Sequence, residues 1–111
     1  MGMPNYGYDW TLPFTRGTNA RILTLPAAQN LALSTKSEVQ YNTTSEAPFF
    51  NYKNGNGKEH IVWFDDARSY SARMELIEAF DLAGISFWTI NNFWETGFYI
   101  LSNMYNIKKL I

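Results

Sequence analysis

The stretch His60–Ile90, HIVWFDDARSYSARMELIEAFDLAGISFWTI, decides the fold. It opens on alternation, with Ile61 and Trp63 on one side and His60, Val62 and Phe64 on the other, the period of a strand. Asp65-Asp66 end the apolar run. Ser69 is then placed to accept an orphan backbone N–H as the N-cap of a helix. Met74 with Ile77, and Leu76 with Phe80, recur at the i, i+3 and i, i+4 spacings of a buried helical stripe. Gly84 stops that helix. Ile85–Ile90 is apolar with a single serine, the pattern of a strand buried on both faces. This order of strand, capped helix, glycine stop and buried strand predicts the closing units of a barrel of parallel strands and outer helices.

Working outward, Asn54-Gly55-Asn56-Gly57 is a hairpin turn that joins Ala47–Tyr52 to the strand at His60. Glu38–Asn42 alternates Val39 and Tyr41 with polar residues and reads as a third strand. Thr24 is an N-cap and Pro26 a first-turn residue, so a helix is expected over Pro26–Leu33. The middle of the chain is therefore expected to be a small antiparallel sheet with one helix, inserted between two barrel strands. Gly7–Gly17, with Pro13 and polar turn residues, reads as a loop. Met1–Tyr6 reads as a buried strand whose pairing Pro4 restricts. Thr96–Tyr105 is apolar enough for a closing helix. Residues 1–111 form one partial domain on this reading, because a complete (β/α)8 barrel needs roughly 200 residues or more.

Composition excludes several classes. The chain has 111 residues, 17% aromatic, a net charge of −1 and no cysteine. There is no disulfide framework and no thiolate chemistry. The basic residues form no block that could neutralise phosphates, and the Lys108-Lys109 pair is too short, so no nucleic-acid partner is expected. No apolar stretch approaches the roughly 20 residues of a membrane helix, so no membrane partner is expected. No basic region followed by an apolar run opens the sequence, so no signal peptide is visible. His60 has no second histidine or glutamate at ligand spacing. No metal site and no cofactor are expected.

Four segments in order carry a family resemblance: Tyr6-Gly7-Tyr8-Asp9-Trp10, Pro48-Phe49-Phe50, Val62-Trp63-Phe64-Asp65-Asp66-Ala67-Arg68-Ser69, and Leu82-Ala83-Gly84-Ile85-Ser86-Phe87-Trp88. From Met1 to about Phe93 the chain resembles the C-terminal part of glycoside hydrolase family 18, in its bacterial branch of spore-germination and cortex-lytic N-acetylglucosaminidases. The resemblance implies an α/β fold, a partial (β/α)8 TIM barrel. Met1–Tyr6 would be strand 7, Ser69–Asp81 helix 7 and Ile85–Ile90 strand 8, followed by helix 8. Residues 19–64 would be an α+β insertion between strand 7 and helix 7, forming one wall of the cleft. Trp88 would floor the sugar subsite beside the cleaved bond, Tyr6 would face that subsite, and Trp10 would stack on a neighbouring sugar at the mouth. The partner implied is an N-acetylglucosamine polysaccharide, peptidoglycan or chitin. The missing N-terminal barrel half is a second partner. The location implied is the cell envelope, the spore or the exterior of a bacterium.

The sequence departs from the family in one respect. The Asp-x-x-Asp-x-Asp-x-Glu run, whose glutamate donates the proton, does not occur here. The tyrosine and aspartate of the sixth strand are also absent, and Tyr8 stands where related chitinases often carry arginine. Family members use substrate-assisted hydrolysis, in which the sugar's own N-acetyl oxygen attacks the anomeric carbon and one carboxylic acid protonates the leaving oxygen. No residue of this chain is assigned as catalytic.

Each aromatic also has a purely structural reading. Trp88 and Tyr6 fit a core as well as a subsite, and Trp10 could simply close the barrel end. Asp65 and Asp66 precede a helix N-terminus, where negative charge is favourable. Asp66 or Arg68 is placed to hold the insertion. His60 reads as a solvated strand residue, and Trp63 as an anchor of the inserted sheet. Two other functions fit the same residues: a stand-alone, non-catalytic carbohydrate-binding protein, and a structural module whose aromatics only form core.

Overall fold

A computed structural model describes residues 1–108; Lys109 of the terminal basic pair lies outside the described residues. Seven strands and three helices run in the order β1 (Gly2–Pro4), β2 (Tyr6–Thr11), β3 (Arg21–Thr24), α1 (Leu25–Ser34), β4 (Gln40–Asn42), β5 (Ala47–Lys53), β6 (Glu59–Trp63), α2 (Ala67–Ala79), β7 (Ser86–Trp88) and α3 (Glu95–Met104). They form two sheets. β1 and β7 make a parallel pair in the register Gly2↔Ser86, Met3↔Phe87, Pro4↔Trp88. The other strands form an antiparallel sheet in the order β3-β2-β6-β5-β4.

The second sheet is larger than the sequence suggested. Gly7–Thr11, expected to open a loop, forms its second strand together with Tyr6, and Arg21–Thr24 is a further strand that the sequence reading did not anticipate. The pattern was present, since Tyr6, Tyr8 and Trp10 alternate with Gly7 and Asp9. The glycine and aspartate weakened it as a strand signal. Both face inward for a reason. A Cβ at Gly7 would sit 2.7 Å from the Trp63 carbonyl oxygen and 2.8 Å from the Phe64 Cβ, so only glycine lets β2 approach β6. The chain leaves the parallel pair at Pro4, which has no N–H to continue a ladder. Met1–Tyr6 is thus not one strand: β1 ends before Asn5, and Tyr6 belongs to the antiparallel sheet.

One face of that sheet is covered. Phe50, Val62 and Phe64 pack with Leu25, Ala28 and Ala32 of α1 and with Tyr70 and Met74 of α2 in a single core, which also takes in Met3 and Trp94. Helix α1 starts where expected, with the Thr24 hydroxyl accepting from the Ala27 N–H at 3.2 Å and Pro26 in its first turn.

Helix α2 begins two residues earlier than predicted. Its N-cap is Asp66, not Ser69. The Asp66 carboxylate accepts from the Arg68 and Ser69 N–H groups at 2.9 and 3.1 Å, and Ser69 Oγ accepts from the Asp66 N–H at 2.9 Å. This is a capping box, in which each residue satisfies the other's orphan donor. The buried side of α2 is Tyr70, Met74 and Ile77; Leu76 and Phe80 are exposed, at 40% and 70%. The expected second stripe therefore faces outward. Gly84 does not stop the helix: α2 ends at Ala79 with Phe80 as C-cap, Asp81 at φ +48° is the left-handed residue, and Gly84, at φ +155°, comes three residues later.

The segment Ile85–Ile90 departs furthest from its reading. Its strand is only Ser86–Trp88, and all three residues are exposed. Among the described residues β7 pairs with β1 alone, and nothing covers its outer side.

Candidate functional site

β1 and β7 run parallel, so their carboxyl ends lie at the same end of the pair. Trp88 ends β7 opposite Pro4, and Tyr6 follows two residues after Pro4. The sequence-predicted residues Trp88 and Tyr6 therefore leave one end of one small sheet. Trp88 is 72% exposed. Trp10, the third predicted residue, lies farther along β2 on the same side as Tyr6, as strand alternation requires.

That side of β2 is an aromatic run. Tyr6 meets Tyr8 edge-on at 5.5 Å, Tyr8 meets Trp10 at 6.2 Å, and Trp10 meets Phe14 edge-on at 5.8 Å. It continues across the sheet, because Tyr8 pairs with Trp63 and Trp63 stacks on Phe49 at 4.7 Å. Tyr8, Trp63 and Phe49 thus join the residues that sequence reading had singled out. Trp63 does anchor the sheet, and it does so on its outer face, opposite the core.

The inner side of β2 explains why the outer side is held in register. Asp9 is buried, and its carboxylate accepts from Arg21 Nη2 at 3.1 Å, Tyr52 Oη at 2.7 Å and His60 Nδ1 at 2.8 Å. His60 is therefore not a solvated strand residue. Its ring stacks on Tyr52 at 4.8 Å, and its Nε2 faces the Asn54 amide nitrogen at 3.1 Å. Asn54 Oδ1 already accepts from the Asn56 and Lys58 N–H groups, so its NH2 donates to the ring and His60 is the Nδ1–H tautomer.

Burial, and then the hydrogen bond to Asp9, pushes the Tyr52 phenol up from its ordinary 10.0 to about 12. Burial and then the bond to Glu46 does the same for Tyr41, also to about 12. The folded state thus binds these protons more tightly than the unfolded chain. Their contribution to stability is complete below about pH 10 and is lost as pH rises from there through about 12. Denaturant midpoints measured across that range are expected to fall, and four of the seven tyrosines to titrate late by ultraviolet absorbance, since Tyr70, by burial, and Tyr6, by its hydrogen bond with Tyr8, are raised as well.

Three of the four aspartates are engaged. Asp65 is buried and bound by Ser69 Oγ at 2.8 Å and by Arg73. Asp66 caps α2 and also holds Arg68, whose guanidinium lies 4.5 Å over the Tyr41 ring. That contact ties the β4 side of the sheet to α2. With Asp9 fully bonded as well, none of these carboxyls stands free to protonate a leaving group. Among the described residues no three His, Cys, Asp or Glu side chains cluster as metal ligands, and no helix is long and apolar enough to cross a membrane.

The remaining surface near Trp88 is apolar. A groove of about 320 Å³ is lined by Asn5, Tyr70, Phe87, Ile90, Phe93 and Phe98, among others. A second, of about 550 Å³, continues it along Ile77, Ile85, Phe87, Leu101 and Tyr105.

These features define a mixed α/β chain with an open aromatic sheet face and an open parallel pair. The chain belongs to glycosyl hydrolases family 18, whose model matches residues 1–92. It is 41% identical over 110 residues to the cortical fragment-lytic enzyme of Bacillus subtilis, covering 98% of this chain and 26% of that protein. It superposes on the spore cortex-lytic enzyme SleL of Bacillus cereus with a TM-score of 0.94 and 37% identity, over 99% of this chain and 26% of that one. It is 29% identical to the di-N-acetylchitobiase of Rattus norvegicus, over 82% of this chain and 30% of that protein. The chain thus spans about a quarter of the length of these relatives.

Proposed function

We propose that this chain is the C-terminal, substrate-lining part of a family 18 glycosidase acting on β-1,4-linked N-acetylglucosamine polymers, peptidoglycan or chitin, and that it supplies aromatic sugar contacts rather than the catalytic acid. The observation that carries this reading is the shared carboxyl end of β1 and β7, where Trp88 lies opposite Pro4 and Tyr6 follows two residues after Pro4. In barrels of parallel strands, sites lie at that end. On this reading β1 is barrel strand 7, α2 helix 7, β7 strand 8 and α3 helix 8. The antiparallel sheet is the insertion, its outer aromatic face the wall of the cleft and Trp10 its outer sugar contact. The names of the relatives support the substrate class: one cortical fragment-lytic, another a di-N-acetylchitobiase. An envelope, spore or extracellular setting in a bacterium is part of the same proposal, and the names of the Bacillus relatives support it.

The proposal is tested by grafting. This chain replaces the matching C-terminal 26% of the Bacillus cereus enzyme, and hydrolysis of that enzyme's substrate is measured. A folded chimaera that retains hydrolysis is expected. A folded but inactive chimaera contradicts the assignment.

The partner expected for the bare apolar surface is the other part of such a barrel. Phe87, Ile90, Phe93 and Phe98 are 36%, 93%, 68% and 49% exposed. Contiguous apolar surface of this kind beside open strand edges drives association. The 111-residue polypeptide on its own is therefore expected to elute from size exclusion larger than a monomer. A sharply melting monomer at high concentration would argue for the stand-alone reading.

A further inference from the structure

We infer that Asn5 is a positioning residue for Trp88; this rests on the reading of Trp88 as the sugar-facing indole. Asn5 lies between the two sheets, after β1 and before β2, and is 6% exposed. It makes three hydrogen bonds to two consecutive residues on the far side of the sequence. Its backbone N–H donates to the Trp88 carbonyl at 3.1 Å. Its side-chain Oδ1 accepts from the Thr89 N–H at 2.6 Å, and its Nδ2 donates to the Thr89 carbonyl at 2.7 Å.

A carboxamide carries one acceptor and one donor group in the geometry of a peptide. The Asn5 side chain therefore takes the place of the strand that ended at Pro4, and extends the pairing by one residue after the backbone has turned away. Thr89 is held at both its polar groups. Trp88 is thus fixed from its own carbonyl and from the residue that follows it.

The indole itself has no comparable support. Among the described residues no other aromatic ring stacks against it, and most of its surface is open. Its orientation is set through its backbone, and Asn5 supplies the bonds at its carboxyl side. The same residue launches Tyr6 into β2. One buried amide therefore sets the relation between the two aromatics placed at the shared strand end. Holding a flat ring in place before a sugar arrives lowers the ordering cost of binding. Leucine has nearly the same shape as asparagine but no polar atoms; it would leave the Thr89 N–H unpaired and its carbonyl with the Asn92 N–H, at 3.2 Å, as its remaining donor. Aspartate keeps the acceptor and loses the donor.

The test uses the full chain and its four tryptophan indole N–H resonances, with that of Trp88 assigned from Trp88→Phe. In Asn5→Leu, and more weakly in Asn5→Asp, the Trp88 signal is expected to shift or broaden while those of Trp10 and Trp63 stay in place. Affinity for the N-acetylglucosamine tetramer is expected to fall about tenfold in Asn5→Leu, and not to fall further when the same change is made in Trp88→Ala, since the two act through one contact. An unmoved Trp88 signal, or a loss that adds fully to that of Trp88→Ala, overturns the inference. If Asn5→Leu also collapses the Trp10 and Trp63 signals, the unaltered chain decides. A Thr89 amide exchanging at least about a hundredfold slower than a free peptide supports the clamp, and free-peptide exchange overturns it. If Trp88→Ala binds the tetramer as well as the unaltered chain, the sugar reading fails, while a moved indole in Asn5→Leu still upholds the positioning contact.

Discussion

Replacing Asp9 by alanine is expected to lower the melting temperature by about 8–24 °C. The change strands the Tyr52 hydroxyl and the His60 Nδ1–H, both partly buried, which now have no acceptor. Each unpaired buried donor costs about 1–3 kcal/mol. Arg21 contributes little, because its side chain is 63% exposed and turns to water. The sum is about 2–6 kcal/mol, and a chain of this size loses roughly 4 °C per kcal/mol. The consequence reaches the candidate site. Asp9 sits between Tyr8 and Trp10, and its bonds to β3, β5 and β6 pin β2 from the inside. Loosening it disorders the aromatic run on the outside. Differential scanning calorimetry of Asp9→Ala and Asp9→Asn checks this, and a shift under about 3 °C would mean that the network does not hold the strand.

The isolated polypeptide is expected to hydrolyse N-acetylglucosamine oligomers at least about 10²–10⁴-fold more slowly than its full-length relatives, the range that loss of general-acid catalysis alone accounts for. The sequence has no Asp-x-x-Asp-x-Asp-x-Glu run. The three aspartates near the sheet and α2 are committed: Asp9 and Asp65 are buried in charge-assisted bonds, and Asp66 caps a helix. Release of a chromogenic leaving group from a chitobioside, followed side by side with the Bacillus cereus enzyme, measures the gap. Activity within tenfold of that enzyme would contradict this expectation.

Much of the fold was legible because local rules and tertiary packing agree. Thr24 and Pro26 started α1 as their chemistry dictates, and Asn54–Gly57 turned β5 into β6. The failures have physical causes. β2 was hidden because its inner positions are a glycine needed for close approach and an aspartate needed for a polar network, neither a strand former. His60 looked solvated because its partners, Asp9 and Asn54, are 51 and 6 residues away in sequence. Ser69 was mistaken for the cap because both halves of a capping box carry suitable side chains, and Asp66 is the one with extended backbone. Ile85–Ile90 has the composition of a strand buried on both faces and is exposed. Its composition suits surroundings that the remaining three-quarters of the relatives' length would supply on the proposed reading. In the site, Trp88, Tyr6 and Trp10 were named from resemblance. Tyr8, Trp63 and Phe49 required the register of three strands.

The most direct measurement is a titration of the chain with the N-acetylglucosamine tetramer, followed by tryptophan fluorescence, beside the Trp88→Ala variant. Trp88 is the most exposed of the placed aromatics, and stacking by such a ring is worth on the order of 1.4–2 kcal/mol or more on truncation. The account expects saturable binding by the unaltered chain and an affinity at least about tenfold weaker in Trp88→Ala. Equal affinity in the two proteins, with both folded, would contradict it.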